Sequence, residues 1–238
     1  MEVLLVRAAN SSPFTLSGTN TWIVSRSPAW VVDPGPALEP HLDAVAAAVA
    51  ERGGAGGIAL THDHPDHAEG LAALLSRLGD VPVGAMPGLR DGDSFGPLLA
   101  LHVPGHAADH LVFVADRSAF TGDAVLGEGS VFIAPGGGSL GSYLDGLRRL
   151  RALRLERIYP GHGPIVDDPA AKLDEYISHR LERERRILAA LEAGARTEGE
   201  LLAAAWDEVP EGLRRPAAWT LAAHLDKLRG EGRLPRGV

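Results

Sequence analysis

The sequence predicts an α/β layered domain followed by a smaller helical region, and three observations lead there. Short apolar runs of β character alternate with helical patterns up to about residue 168. Glycines and prolines fall between those runs, as turn punctuation should. From about Asp168 onward the β-like runs stop and helical periodicity takes over. Strands interleaved with helices give sheets that must be covered by helices, the definition of a layered α/β fold.

Each element can be justified in order. "EVLLVRA", "TWIVS" and "AWVVDPG" read as strands, and "LDAVAAAVAERGG" as an alanine-rich helix stopped by glycines. "GIALTH" is a short buried strand. A helix from about Ala68 follows, with Leu71, Leu74, Leu75 and Leu78 on one face. "LALHVPG", "LVFVAD" and "SAFTGDAV" continue as strands, "LGSYLDGLRRLRAL" as a helix, and "RIYPGHGP" as a last strand. Beyond Asp168, Leu173, Ile177, Leu181, Leu188 and Leu191 form a 3.6-residue stripe. Thr197 and Glu200 make a capping box for a second helix. Pro216 marks the start of a third, with Leu221, Leu225 and Leu228 on one face and Gly230 and Gly232 at its end. The division is therefore 1–168 and 169–238. The helices and the short "RLPRGV" tail resemble a small winged-helix module. "PGGGSLGS" (135–142) is the only low-complexity stretch and reads as a loop.

Composition narrows the chemistry. A chain of 238 residues at 45% hydrophobic can bury a sizeable core. It has no cysteine, so disulfides and thiolate ligands are excluded and any metal must sit on His, Asp or Glu. No apolar run is long enough to span a bilayer, and "MEVLLVRAANSS" lacks the apolar core of a signal peptide. The expectation is a cytoplasmic protein with no membrane partner. Residues 1–169 hold 11 Lys and Arg against 19 Asp and Glu, whereas residues 170–238 hold 12 of each. A field of that sign does not draw in phosphate backbones unless metals offset it locally.

The chemistry concentrates in "GIALTHDHPDHAEG", where three histidines and two aspartates fall within six positions after a strand. Unpaired imidazoles are costly to pack, so a single structural role does not explain three of them. His106 in "HVPGHAADH", Asp123 in "FTGDAV" and His162 in "YPGHGP" share the setting: each follows a β-like run and lies beside a glycine. Open α/β sheets place ligands at the carboxyl ends of their strands. The pattern predicts a metal site. His41, His102 and His224 have no such context and read as structural.

"THDHPDH" matches the H-x-H-x-D-H motif of the metallo-β-lactamase superfamily, which this chain resembles over nearly its whole length. "FTLSGTNTWIV", "GDAVLGEGS", "YPGHGP" and "YISHR" look like its lactamase-β-like 2 group. The resemblance implies a four-layer αβ/βα sandwich with a winged-helix-like C-terminal domain. It implies that His62, His64 and His106 hold one metal, that Asp66, His67 and His162 hold a second, and that Asp123 bridges them. Two zinc ions fit this nitrogen and oxygen set, which manganese or iron would also accept. The implied reaction is metal-assisted hydrolysis, with Asp66 and Asp123 in the catalytic set.

Further candidates are Asp33, expected to prop the ligand loop, and His110, expected to orient a ligand. Asn20 and Thr21 resemble a group motif expected to line the substrate cleft. His179 and Arg180 are candidate substrate contacts. Members of the group include single-strand-specific endoribonucleases and thioesterases. The first expectation is a hydrolase of single-stranded RNA, helped by the helical tail. The alternative is hydrolysis of a small thioester or other acyl ester, as in the glyoxalase II-like branch. A third reading places the activity in the tail, as a docking module on a degenerate enzyme, and the complete ligand set argues against it.

Overall fold

The computed structural model describes residues 1–25, 27–134 and 139–235. Residues 135–138 of the "PGGGSLGS" loop and 236–238 of the tail lie outside them. Two five-stranded sheets carry the architecture. The first runs in the order β1 (Val3–Arg7), β2 (Asn20–Val24), β3 (Ala29–Val32), β4 (Ala55–Ala59) and β5 (Val83–Gly84). The second runs β10 (Arg157–Pro160), β9 (Ser118–Gly122), β8 (Leu111–Ala115), β7 (Leu98–His102) and β6 (Ser94–Phe95). Each sheet mixes antiparallel hairpins with parallel pairs: β3 with β4 and β4 with β5 in the first, and β9 with β10 in the second. Parallel neighbours require a crossover, and α1 (Glu39–Ala50) and α4 (Leu140–Ala152) lie in those connections.

Strand alternation sorts the apolar side chains into layers. Trp22 and Val24 point between the sheets, where they meet Phe113, Phe120 and Tyr159 from the second sheet. Ile23, Val31 and Ile58 point the other way, onto Leu42, Val45 and Val49 of α1 and Leu74 of α3 (Leu71–Leu78). On the opposite face Val112, Ala119 and Ile158 pack on Tyr143, Leu144 and Leu147 of α4 and on Leu173 and Tyr176 of α5 (Pro169–Glu192). The order helix, sheet, sheet, helix is the expected four-layer sandwich.

The helical region has its own core: Ile187 and Leu191 of α5, Leu201 and Ala205 of α6 (Glu198–Ala205), and Ala217, Leu221 and Leu228 of α7 (Arg214–Gly230). The Thr197 capping box forms as read. Three details differ from the sequence reading. The helix placed from Ala68 is two pieces, a single turn α2 (Pro65–Ala68) and α3, with Gly70 between them. In α5 Leu181 is 42% exposed, while Arg180, Arg183 and Glu184 are buried. Those charges are tolerated because each finds a partner: Arg180 donates to Ser130 Oγ and the Val131 carbonyl, Arg183 pairs with Glu208, and Glu184 with Lys227 and Arg233. Among the described residues no strand follows α7. Leu234 packs back on the helical core.

Candidate metal centre

The site lies at the carboxyl end of β4 and along the adjoining edge of the second sheet. Asp33 follows β3 at a φ of +56°, a conformation that Asp accepts more readily than most residues. Its carboxylate is buried. Oδ1 accepts from Thr61 N at 2.7 Å, and Oδ2 accepts from Thr61 Oγ at 2.8 Å and from His67 Nδ1 at 2.9 Å. One carboxylate thus fixes both ends of the ligand loop. Pro65 starts α2, whose single turn swings Asp66 and His67 to the same side as His62.

His106, Asp123 and His162 follow β7, β9 and β10 respectively and close on this loop. The approach requires glycine. A Cβ on Gly161 would lie 2.6 Å from His67 Cε1 and 2.9 Å from Asp123 Oδ1, and one on Gly122 would lie 2.4 Å from Thr61 Oγ.

Three groups of donor atoms result: His62, His64 and His106; Asp66, His67 and His162; and His62, His67 and Asp123, which overlaps both of the others. His64 Nδ1 stands 3.0 Å from both His62 Nε2 and His106 Nε2, and His67 Nε2 stands 3.2 Å from His162 Nε2. Asp123 faces both of the first two groups. Its Oδ2 lies 3.5 Å from His106 Nε2, and its Oδ1 lies 3.4 Å from His67 Nε2 and 3.3 Å from His162 Nε2.

The residues fit metal ions. Four of the five ring systems have an acceptor at the outward nitrogen: Thr61 Oγ for His62, Asp33 for His67, the Phe132 carbonyl for His106 and the Gly18 carbonyl for His162. Donation outward leaves a lone pair facing inward, the arrangement a cation uses. Asp123 Oδ1 is buried with no hydrogen-bond partner, an arrangement that costs free energy unless a cation meets it. Burial opposes charge on His67, yet Asp123 and Asp33 raise its pKa well above the ordinary histidine value. Burial drives the His62 pKa well below that value, and neighbouring His67 and His110 push it further down. This cage therefore calls for positive charge, but not on every ring.

His110, expected to orient a ligand, lies against the donor set. It is fully buried, stacks on His62 at 4.8 Å between ring centroids and accepts from Asp123 N at 3.1 Å through Nε2. Other readings need correction. Asn20 and Thr21 are fully buried and line no cleft. Asn20 Nδ2 donates to the carbonyls of Pro160 and Gly163, bracing the His162 loop, and Thr21 Oγ bonds His41 Nε2. A small polar residue on a strand satisfies its interior neighbours before it reaches solvent. Arg180 is 2% exposed, donates through Nη2 to Ser130 Oγ and the Val131 carbonyl, and is not among the residues lining the cavity over the metal ligands. His179 borders a neighbouring cavity of about 370 Å³ instead.

Above the ligands lies a cavity of about 510 Å³. Its floor is His64, Asp66, His106, Asp123 and His162, and its walls include Phe14, Leu16, Val131, Phe132, Leu213 and Trp219. Among the described residues no Lys or Arg lines it, and Glu128 is the one charged wall residue besides the ligand carboxylates. Sequence reading missed these walls. Thr61 sits inside the quoted motif and could have been flagged, whereas Phe132 acts through a backbone carbonyl, which leaves no signature in sequence.

Comparison with known proteins places the chain in a family. The family model described as the metallo-beta-lactamase superfamily matches residues 87–162. The chain is 34% identical over 205 residues to the beta-lactamase-like protein 2 homolog of Caenorhabditis elegans, spanning 76% of this chain and 68% of that protein. It is 34% identical over 240 residues to an atrochrysone carboxyl ACP thioesterase of Aspergillus chevalieri, spanning 91% of this chain and 77% of that one. A metallo-beta-lactamase family protein from Thermus thermophilus shares the fold, with a TM-score of 0.74 over 99% of this chain and 96% of that chain at 24% identity.

Proposed function

The chain belongs to the metallo-beta-lactamase superfamily, and from that premise we propose that it is a dinuclear-metal hydrolase of acyl thioesters. One observation carries the choice of substrate. The cavity over the ligands is walled by apolar and aromatic side chains, carries Glu128, and has no Lys or Arg among the described residues that line it. An RNA strand brings one phosphate per nucleotide and wants cationic side chains along its path. A thioester brings a neutral reacting group with an apolar acyl chain, which Phe14, Phe132, Leu213 and Trp219 can cover. The relative named as a carboxyl ACP thioesterase supports the same choice.

His62, His64 and His106 would hold one cation, Asp66, His67 and His162 the other, and Asp123 both. Zinc is the proposed occupant. When bound, such ions would lower the pKa of a water toward neutral and would offset negative charge on a carbonyl oxygen. The protein's own residues do the rest. Asp33 and His110 hold the ligand frame, and the apolar walls exclude water and align the acyl chain beside the reacting centre. Asp66, 28% exposed and facing the cavity, is the residue proposed to carry a proton to or from the reacting atoms. The departing thiol has an ordinary pKa near 8.5, so its expulsion needs little acid assistance.

The test sets two substrates side by side. Zinc-reconstituted protein is given acyl-N-acetylcysteamine thioesters of increasing chain length, with thiol release followed by a chromogenic disulfide, and separately end-labelled single-stranded RNA. Asp123→Ala controls for contaminants. Thioester cleavage by the wild type alone is expected. Internal RNA cuts by the wild type alone, with thioesters untouched, would overturn the proposal.

A further inference from the structure

We propose that the C-terminal helices position the metal ligand His106, through a clamp that Arg180 and Thr220 place on residues 130–133. The inference rests on reading the three-histidine group as a metal site, and it is independent of which bond the enzyme breaks.

The clamp is traced in hydrogen bonds. Arg180 of α5 donates from Nη2 to Ser130 Oγ at 3.0 Å and to the Val131 carbonyl. Its guanidinium also lies over the Tyr143 ring, 5.5 Å from the centroid. Thr220 of α7 is fully buried, and its Oγ accepts from Ile133 N at 3.2 Å. Phe132 lies between these two holds. Its carbonyl faces His106 Nδ1 at 3.2 Å, so the ring proton sits there and the Nε2 lone pair faces His64 Nδ1 and Asp123 Oδ2.

The segment needs such a clamp. After β9 ends at Gly122, residues 123–134 belong to neither helix nor strand, so no ladder of backbone bonds fixes them. The other outward partners, Thr61, Asp33 and Gly18, all belong to the first sheet and its loops. His106 alone among these rings relies on a stretch that the C-terminal helices hold. The helices are thus part of the metal centre as well as a wall of the cavity. A module docked for an unrelated purpose would have no reason to grip the backbone on both sides of Phe132.

Cobalt(II) titration of the metal-free full-length protein tests this, read by the visible spectrum and by stepwise affinity, with thermal unfolding of the metal-free form alongside. Arg180→Met and Thr220→Val should each weaken one of the two binding steps about 10-fold and alter the ligand-field band of that site. Arg180→Lys should recover part of the loss, because an ammonium can still reach a carbonyl. Thr197→Ala, which removes the α6 capping box and touches no part of the clamp, should lower stability and leave both binding steps unchanged. Wild-type cobalt binding in both clamp variants would overturn the proposal. So would a uniform weakening of both steps that Thr197→Ala reproduces, since that pattern reports general loosening of the helices. Failure of the wild type to take up cobalt would defeat the metal reading itself, and thioester turnover enters none of these measurements.

Discussion

Asp33→Asn is the sharpest perturbation of the centre, because it changes one atom and leaves two unequal ways to fail. The carboxylate accepts three hydrogen bonds, from Thr61 N, Thr61 Oγ and His67 Nδ1, and is 2% exposed. An amide supplies only one acceptor oxygen. If that oxygen stays beside His67, the amide nitrogen faces Thr61 N, and a buried donor is left without a partner at a cost of about 1–3 kcal/mol. If the oxygen stays beside Thr61 N, the amide donates to His67 Nδ1. The ring proton then moves to Nε2, the atom that faces His162 and Asp123. The second outcome weakens the second metal, by roughly 10–100-fold for the loss of such a supporting bond, whereas the first costs stability alone. For a chain of this size the stability cost corresponds to a fall in Tm of several degrees, at roughly 2–4 °C per kcal/mol. The assay is metal content after dialysis against a chelator-buffered zinc solution, with Tm read on the metal-free protein. One zinc retained where the wild type keeps two is expected. Two zincs held at wild-type affinity with an unchanged Tm would refute the claim that Asp33 sets the His67 tautomer.

Three further outcomes follow from the same geometry. Asp66→Ala should cut bound metal from two to about one and sharply reduce turnover, because Asp66 belongs only to the second donor group; elemental analysis decides it. Trp219→Ala removes a wall shared with α7 and should raise KM for long acyl chains by about 10-fold while short chains change little. His224 is fully buried among Trp206 and the charges of Arg180, Lys227 and Arg183, with neither ring nitrogen bonded, and burial then those charges lower its pKa to about 3. The unfolded chain binds that proton below about 6.5, so stability contributed at pH 7 is lost as pH falls from there toward 3, by about 2 kcal/mol at pH 5. His224→Leu should flatten that part of the slope in urea unfolding at pH 7.5 and pH 5.

Much of the centre was legible because its chemistry is carried by side chains of unusual type in unusual density. Three histidines in "HDHPDH", with His106, Asp123 and His162 beside glycines, signal converging donors without any knowledge of the fold. Asp33 is flagged only through the family resemblance, because an aspartate before a proline is by itself an ordinary turn residue. What was not legible depends on three-dimensional partners. Asn20 looks like a loop residue, yet the neighbouring sheet hands it the carbonyls of Pro160 and Gly163. The α5 stripe counted only apolar residues, whereas the helix buries Arg180, Arg183 and Glu184 because Ser130, Glu208 and Lys227 wait opposite. Periodicity sees hydrophobicity and cannot see compensation.

The same distinction bears on substrate. Net charge pointed away from a polyanion, but a global balance does not say what lines a cleft. The cavity does: its walls come from the N-terminal loop at Phe14, the segment around Val131 and Phe132, and the helical region at Leu213 and Trp219. None of these holds a metal through its side chain, so wall chemistry can vary while the donor set stays constant. If specificity resides there, exchanging Trp219 or Phe14 changes which acyl chain is accepted and leaves metal content unchanged. Substitutions in the clamp at Arg180 lower metal affinity, and because the clamp holds Ser130 and Val131 they reach the walls as well. A pair of measurements on each variant, metal content and chain-length preference, therefore separates the two jobs of the C-terminal helices.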